Sequence, residues 1–117
     1  MARINVLFVC SRNQWRSPTA EAVYRKDERV SVRSRGTTRN AVQTISTVDV
    51  AWADVIFVME QKHRNRILAN FPDSTRHNSI HVLDIPDEYQ FMAPELIRLV
   101  RLATGPLIDT LAQAKLQ

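Results

Sequence analysis

The chain has 117 residues, 44% of them apolar, with a net charge of +4 and a single cysteine. That length suits one domain around one core, taken here as residues 1–117. No run approaches the roughly 18 apolar residues of a membrane span, and one cysteine excludes an internal disulfide framework. Met1-Ala2-Arg3-Ile4 leads straight into the first apolar run with no room for a signal peptide, and a lone thiol is best kept reduced, so a cytoplasmic protein is expected.

Ile4–Val9 is a continuous apolar run of strand length, the pattern of a central parallel strand covered on both faces. Ser17 can cap the helix that follows and Pro18 suits its first turn; that helix is expected to reach about Asp27, with Ala20, Val23, Tyr24 and Asp27 along one side. Val30–Arg35 alternates as an edge strand with one wet face, and Gly36 ends it. Ala41–Ala53 is the least distinct stretch; a short helix is expected to begin near Ser46 or Thr47.

Asp54–Met59 reads as a second buried strand. Gln61–Asn70 reads as a helix with Ile67 and Leu68 inward and the basic residues outward, broken by Phe71-Pro72-Asp73-Ser74. Ile80–Ile85 is the fourth strand, Pro86 to Met92 a loop, and Pro94–Ala103 a helix with Leu96, Ile97 and Val100 at core spacing. Gly105-Pro106 is expected to interrupt that helix before a last turn or two to Ala112. Alternating strands and helices predict an α/β, Rossmann-like fold: a four-stranded parallel sheet with helices on both faces and a phosphate-binding loop after strand 1.

That loop carries the chemistry. The first strand delivers Cys10 to Ser11-Arg12-Asn13-Gln14-Trp15, and Arg16-Ser17-Pro18 opens a helix. Inward N–H groups and a helix N-terminus favour an anion, and an anion held there meets a thiol that the same field helps ionise. The C-x5-R spacing alone is weak, because with 13 arginines in 117 residues an arginine falls at that place by chance about one time in nine. The preceding strand and the following helix start give the spacing its meaning, and they set Cys10 apart from an inert core thiol.

Val9-Cys10 through Arg16-Ser17-Pro18-Thr19-Ala20-Glu21 resembles the signature loop of the low-molecular-weight protein tyrosine phosphatases. Ser34-Arg35-Gly36-Thr37, Ala53 through Glu60 and Ile85-Pro86-Asp87-Glu88-Tyr89 resemble that family's segment after the second strand, its third strand and its late acid loop. The resemblance runs through nearly the whole of a chain shorter than typical members. It implies a hydrolase, a metal-independent protein phosphatase needing no cofactor. In that chemistry Cys10 is the nucleophile and forms a phosphocysteine, while Arg16 holds phosphoryl oxygens with its planar fork. Ser17 would assist the sulfur, beside its possible role as a helix cap, and Asn13 would shape the loop, since asparagine tolerates left-handed backbone.

Asp87, keeping the leading proline and the aromatic residue of the family's acid loop, would be the general acid and then the general base. Asp84 reads as a structural carboxylate at the strand end. Four residues depart from the family pattern: Glu88 stands where proline is usual in the acid loop, Arg12 where glycine is usual, Trp15 where many members carry a second cysteine, and Ser11 where an apolar residue lines the pocket. Ser11, Arg12, Asn13, Gln14, Trp15 and Tyr89 are the candidate phosphate and substrate contacts, Tyr89 as a wall for a phenyl ring.

Expected partners are a phosphorylated protein or an aryl phosphate. Two basic runs, Arg25 to Arg39 and Lys62 to Arg66, read mainly as solvated faces and leave a nucleotide or nucleic acid as another partner; no membrane is expected. His63 reads as a surface residue among those charges. His77 and His81 lie where a loop enters a strand, so a metal pair is not expected. Arsenate reduction by external thiols, and binding or processing of phosphate, nucleotide or RNA ends on the same fold, are the competing functions.

Overall fold

The computed structural model describes residues 3–76 and 78–115. The strands are β1 (Ile4–Cys10), β2 (Val30–Gly36), β3 (Val55–Val58) and β4 (Ser79–Val82); the helices are α1 (Arg16–Tyr24), α2 (Thr47–Trp52), α3 (Gln61–Asn70) and α4 (Pro94–Lys115). All pairings are parallel, in the order β2-β1-β3-β4. β1 lies inside the sheet, and β2 forms an edge as its alternation predicts.

Side-chain alternation along β1 divides the core in two. Ile4, Val6, Phe8 and Cys10 pack with Ala20 and Tyr24 of α1 and Leu96, Val100 and Ile108 of α4. Leu7 and Val9 face the other way, onto Val50 of α2 and Ile67 of α3. Helices therefore cover both faces. The chain leaves β1 toward β2 on one side, and β3 lies on the other, so the carboxyl ends of β1 and β3 flank the topological switch point where such sheets bind ligands. Cys10 is the last residue of β1, and it points to the α1 and α4 side.

Three sequence expectations need correction. α1 ends at Tyr24 rather than Asp27; Asp27 instead turns the chain, its carboxylate accepting the Arg29 backbone N–H at 2.9 Å. β4 is shorter than expected, although the Leu83 and Ile85 N–H groups continue its bonding to the Val58 and Met59 carbonyls. Asp84 between them takes the left-handed φ of 56° and breaks the regular strand geometry.

The third correction is α4, which runs unbroken through Gly105-Pro106. Proline at position 106 leaves the Leu102 carbonyl without its helical partner, but Leu102 is 62% exposed, so water can satisfy that carbonyl. Buried Leu96, Val100, Thr104, Ile108 and Ala112, four residues apart, keep the opposite face docked. α2 starts where expected: Asp49 reaches back to accept the Ser46 N–H at 3.1 Å.

Candidate active site

The loop after β1 is held from outside by its carbonyls. Cys10, Ser11 and Arg12 accept the N–H groups of Thr37, Thr38 and Val42 at 3.0, 3.1 and 3.0 Å. No backbone N–H from Ser11 to Trp15 donates to a protein acceptor among the described residues, which leaves these donors for an anion. The segment after β2 makes this possible through one close approach. A Cβ on Gly36 would stand 2.6 Å from the Ser11 carbonyl oxygen, 2.9 Å from the Asn13 nitrogen and 2.5 Å from the Ala41 Cβ.

Inside the loop, Asn13 takes the left-handed φ of 54° expected of a loop-shaping residue. Its Nδ2 donates to Ser17 Oγ at 2.9 Å and to Ser34 Oγ at 3.0 Å; Ser34 donates in turn to Glu21 Oε1 at 2.7 Å. With Asn13 as donor, Ser17 keeps its own proton. Cys10 Sγ lies 3.0 Å from Ser17 Oγ, nearer than the Arg35 carbonyl at 3.3 Å. Ser17 is thus not the helix cap allowed by the sequence: Trp15 holds that position without a side-chain cap bond, and Ser17 is a fully buried residue of the first turn.

Arg16 is 2% exposed and directed by two acceptors. Its Nη1 donates to Glu60 Oε1 at 2.5 Å and to the Ile85 carbonyl at 2.9 Å. Both Nη1 protons being spent, the Nε and Nη2 edge remains, a parallel pair of N–H groups that fits two oxygens of a phosphoryl group. Asp87 Oδ1 lies 3.7 Å from that Nε, and the Asp87 side chain is 57% exposed. Cys10, Arg12, Gln14, Trp15, Arg16 and Asp87 together line a cavity of about 70 Å³.

Three predicted residues direct their side chains elsewhere: the Ser11 hydroxyl turns to His63, the Asn13 amide is buried within the loop, and Tyr89 packs against the α1–α4 core instead of forming a wall. The Ser11 and Asn13 backbone N–H groups stay with the loop's other free donors. Asp84 borders a separate shallow groove with Glu60, Gln61, Lys62 and Pro86. The basic run from Arg25 to Arg39 is partly neutralised: Arg29 pairs with Asp27 and Asp109, and Arg33 and Arg35 with Asp49. His81 packs against Phe57 with the rings tilted by 39° and their centroids 5.7 Å apart, while His77 lies outside the described residues.

Two residues that the sequence reading did not place at the site, Glu60 and His63, complete it. They sit at the start of α3, where the carboxyl end of β3 adjoins that of β1. Hydrogen bonding to Arg16 holds the Glu60 carboxyl below its usual range. His63 is buried, not on the surface; burial first, and then the Arg16 charge, push it down to about 4. The Glu-x-x-His spacing at a helix start was the available signal, since residues three apart there can cap reciprocally.

A parallel sheet of order 2-1-3-4 with a cysteine loop at its switch point is the fold of the low-molecular-weight phosphatases, and solved structures match it over nearly the whole chain. The tyrosine phosphatase Wzb from Escherichia coli K30, solved with phosphate, is 18% identical with a TM-score of 0.74, covering 94% of this chain and 99% of that one. A low-molecular-weight phosphotyrosine phosphatase from Vibrio cholerae O395 is 23% identical with a TM-score of 0.74, covering 92% and 95%. The YwlE arginine phosphatase from Geobacillus stearothermophilus is 24% identical with a TM-score of 0.66, covering 95% and 92%. At these identities the likeness establishes the fold. No family model and no curated protein matches the sequence, and none of these neighbours is described as a nucleic-acid binder.

Proposed function

We propose that this protein is a cysteine-dependent phosphomonoesterase acting on phosphotyrosine or another aryl phosphate through a phosphocysteine intermediate. The observation that carries this reading is the Cys10 Sγ to Ser17 Oγ contact of 3.0 Å at the floor of a cavity shared with Arg16 and Asp87. Cys10 as thiolate attacks phosphorus, and the bond from phosphorus to the ester oxygen breaks. Asp87, at the exposed rim, gives its proton to the departing oxygen. Arg16 and the loop N–H groups hold the three equatorial oxygens as charge spreads over them.

In the second step Asp87, now a carboxylate, takes a proton from water as that water attacks phosphorus. Sulfur leaves as thiolate, and the Ser17 hydroxyl, oriented by Asn13, stabilises it. Trp15 at the cavity wall supports an aryl leaving group, as does the tyrosine phosphatase description of Wzb; the arginine phosphatase description of YwlE makes phosphoarginine the substrate to set against it. Initial rates on phosphotyrosine, phosphoserine and phosphoarginine peptides and on nucleotides test the reading. Phosphotyrosine is expected to lead. Turnover of none of them would overturn the proposal, and a lead for phosphoarginine would overturn its substrate.

A further inference from the structure

The reaction above leaves unused a buried histidine bonded to Ser11, the residue after the nucleophile. His63 is 1% exposed, and it bonds at both ring nitrogens. The Glu60 backbone N–H donates to Nδ1 at 3.0 Å, and Nε2 lies 2.8 Å from Ser11 Oγ. A backbone N–H can only donate, so Nδ1 carries no proton and the neutral ring holds its proton on Nε2. Nε2 therefore donates to Ser11, whose own hydroxyl proton is released to point elsewhere. Ser17 stands in the same relation to Asn13, whose Nδ2 donates to it at 2.9 Å.

The neighbourhood keeps the ring neutral. Arg16 and Lys62 oppose its protonation, Glu60 and Asp87 favour it less strongly, and burial exceeds each of them. Glu60, whose N–H caps onto His63, is also the residue whose carboxylate directs Arg16. One turn of α3 thus grips both ends of the loop, Ser11 at its start and Arg16 at its finish. Ser11 occupies the place where the family resemblance has an apolar residue, so this grip belongs to the present chain and is not implied by the resemblance.

We infer that His63 is a positioning residue, which through Ser11 sets the start of the phosphate loop for anion binding and turnover. This rests on the phosphatase reading for its kinetic consequence but not for its binding consequence. Capping α3 is the purely structural alternative, and side-chain geometry separates the two. In His63→Asn the amide oxygen stands near the place of Nδ1 and can still cap Glu60, but the side chain is too short to reach Ser11. In His63→Gln the amide nitrogen stands near the place of Nε2 and reaches Ser11, while the cap is lost.

The measurements are the Kd for inorganic phosphate, kcat and KM on an aryl phosphate, and Tm, for both variants and for Ser11→Ala. Loss of the part-buried His63–Ser11 hydrogen bond predicts about tenfold weaker phosphate binding and about tenfold lower kcat for His63→Asn, with Tm nearly kept. Ser11→Ala should match it, and a double variant should add little. His63→Gln should recover most of the binding and turnover while Tm falls. Wild-type binding in His63→Asn or Ser11→Ala would overturn the inference and leave His63 a helix cap. If the wild type turns over no ester, the phosphatase reading fails, and the phosphate Kd values still decide the role of His63.

Discussion

Two loops make the cavity, and they are held in opposite ways. In the loop from Cys10 to Arg16, Asn13, Arg16 and the adjoining Ser17 are almost wholly buried, and each bonds to protein partners from outside the loop. The acid loop after β4 is fixed near its ends, by the Ile85 N–H on the Met59 carbonyl and the Met92 N–H on Thr19 Oγ1, with an exposed run from Pro86 to Glu88 between. The contrast follows the work each would do. Donors that stabilise developing charge act best when their geometry is set in advance. An acid that releases a proton, and then admits water, needs solvent beside it.

If that division is right, substitutions in the two loops should fail differently. The largest effect is expected in the acid loop and on activity alone. Asp87→Ala should lower kcat by about 10²–10⁴ on esters with poor leaving groups, less on activated aryl phosphates. Its Tm should move little, because an exposed carboxylate carries about 0.5 kcal/mol or less. Asp84→Ala should show no leaving-group dependence, since it borders another groove; if it does show one, the acid has been misassigned.

The buried side should respond to pH in stability. His63 ordinarily titrates near 6.5 and in the folded chain near 4, so between these values the unfolded chain binds a proton that the folded chain does not. The contribution of this group to stability must then fall as pH drops from about 6.5 to about 4 and level off below, by about 3 kcal/mol in all. Chemical denaturation across that range should show the slope, and His63→Asn should flatten it. An unchanged slope in the variant would place the titration elsewhere.

Gly36→Ala comes next. The added methyl must displace backbone of the Cys10 loop, for a stability loss of about 1–3 kcal/mol with weakened phosphate binding. The smallest effect is a control of opposite sign. A Cβ on Gly105 would meet nothing within 4 Å, and the residue lies inside α4, so Gly105→Ala should stabilise by about 0.5–1 kcal/mol without touching activity.

What the sequence disclosed followed chain continuity. Cys10, Arg16 and Ser17 lie within eight consecutive residues, so the strand, the loop and the helix start could be read as one unit. The role of the supports was not legible because the sheet assembles them: Ser34 comes from β2 and Glu60 and His63 from beyond β3, brought to the loop by parallel neighbours. Tyr89 misled because an aromatic beside an acid says nothing about which way the ring packs. Pro106 misled because the cost of a helical proline depends on where the freed carbonyl faces, and here it faces water. Ser17 is instructive in another way: a serine at a helix start is ordinarily a cap, and only the adjacent sulfur and the Asn13 donor give it another partner.

Covalent attachment of the phosphoryl group to Cys10 is the central claim. Rapid acid quenching during turnover of an aryl phosphate, followed by mass spectrometry of the peptide containing Cys10, tests it most directly. The expected result is one phosphoryl group on Cys10 of the wild type, at a level that forms and decays as fast as turnover requires, and no turnover in a folded, phosphate-binding Cys10→Ser variant. Steady turnover with Cys10 never phosphorylated, or undiminished turnover by Cys10→Ser, would contradict it.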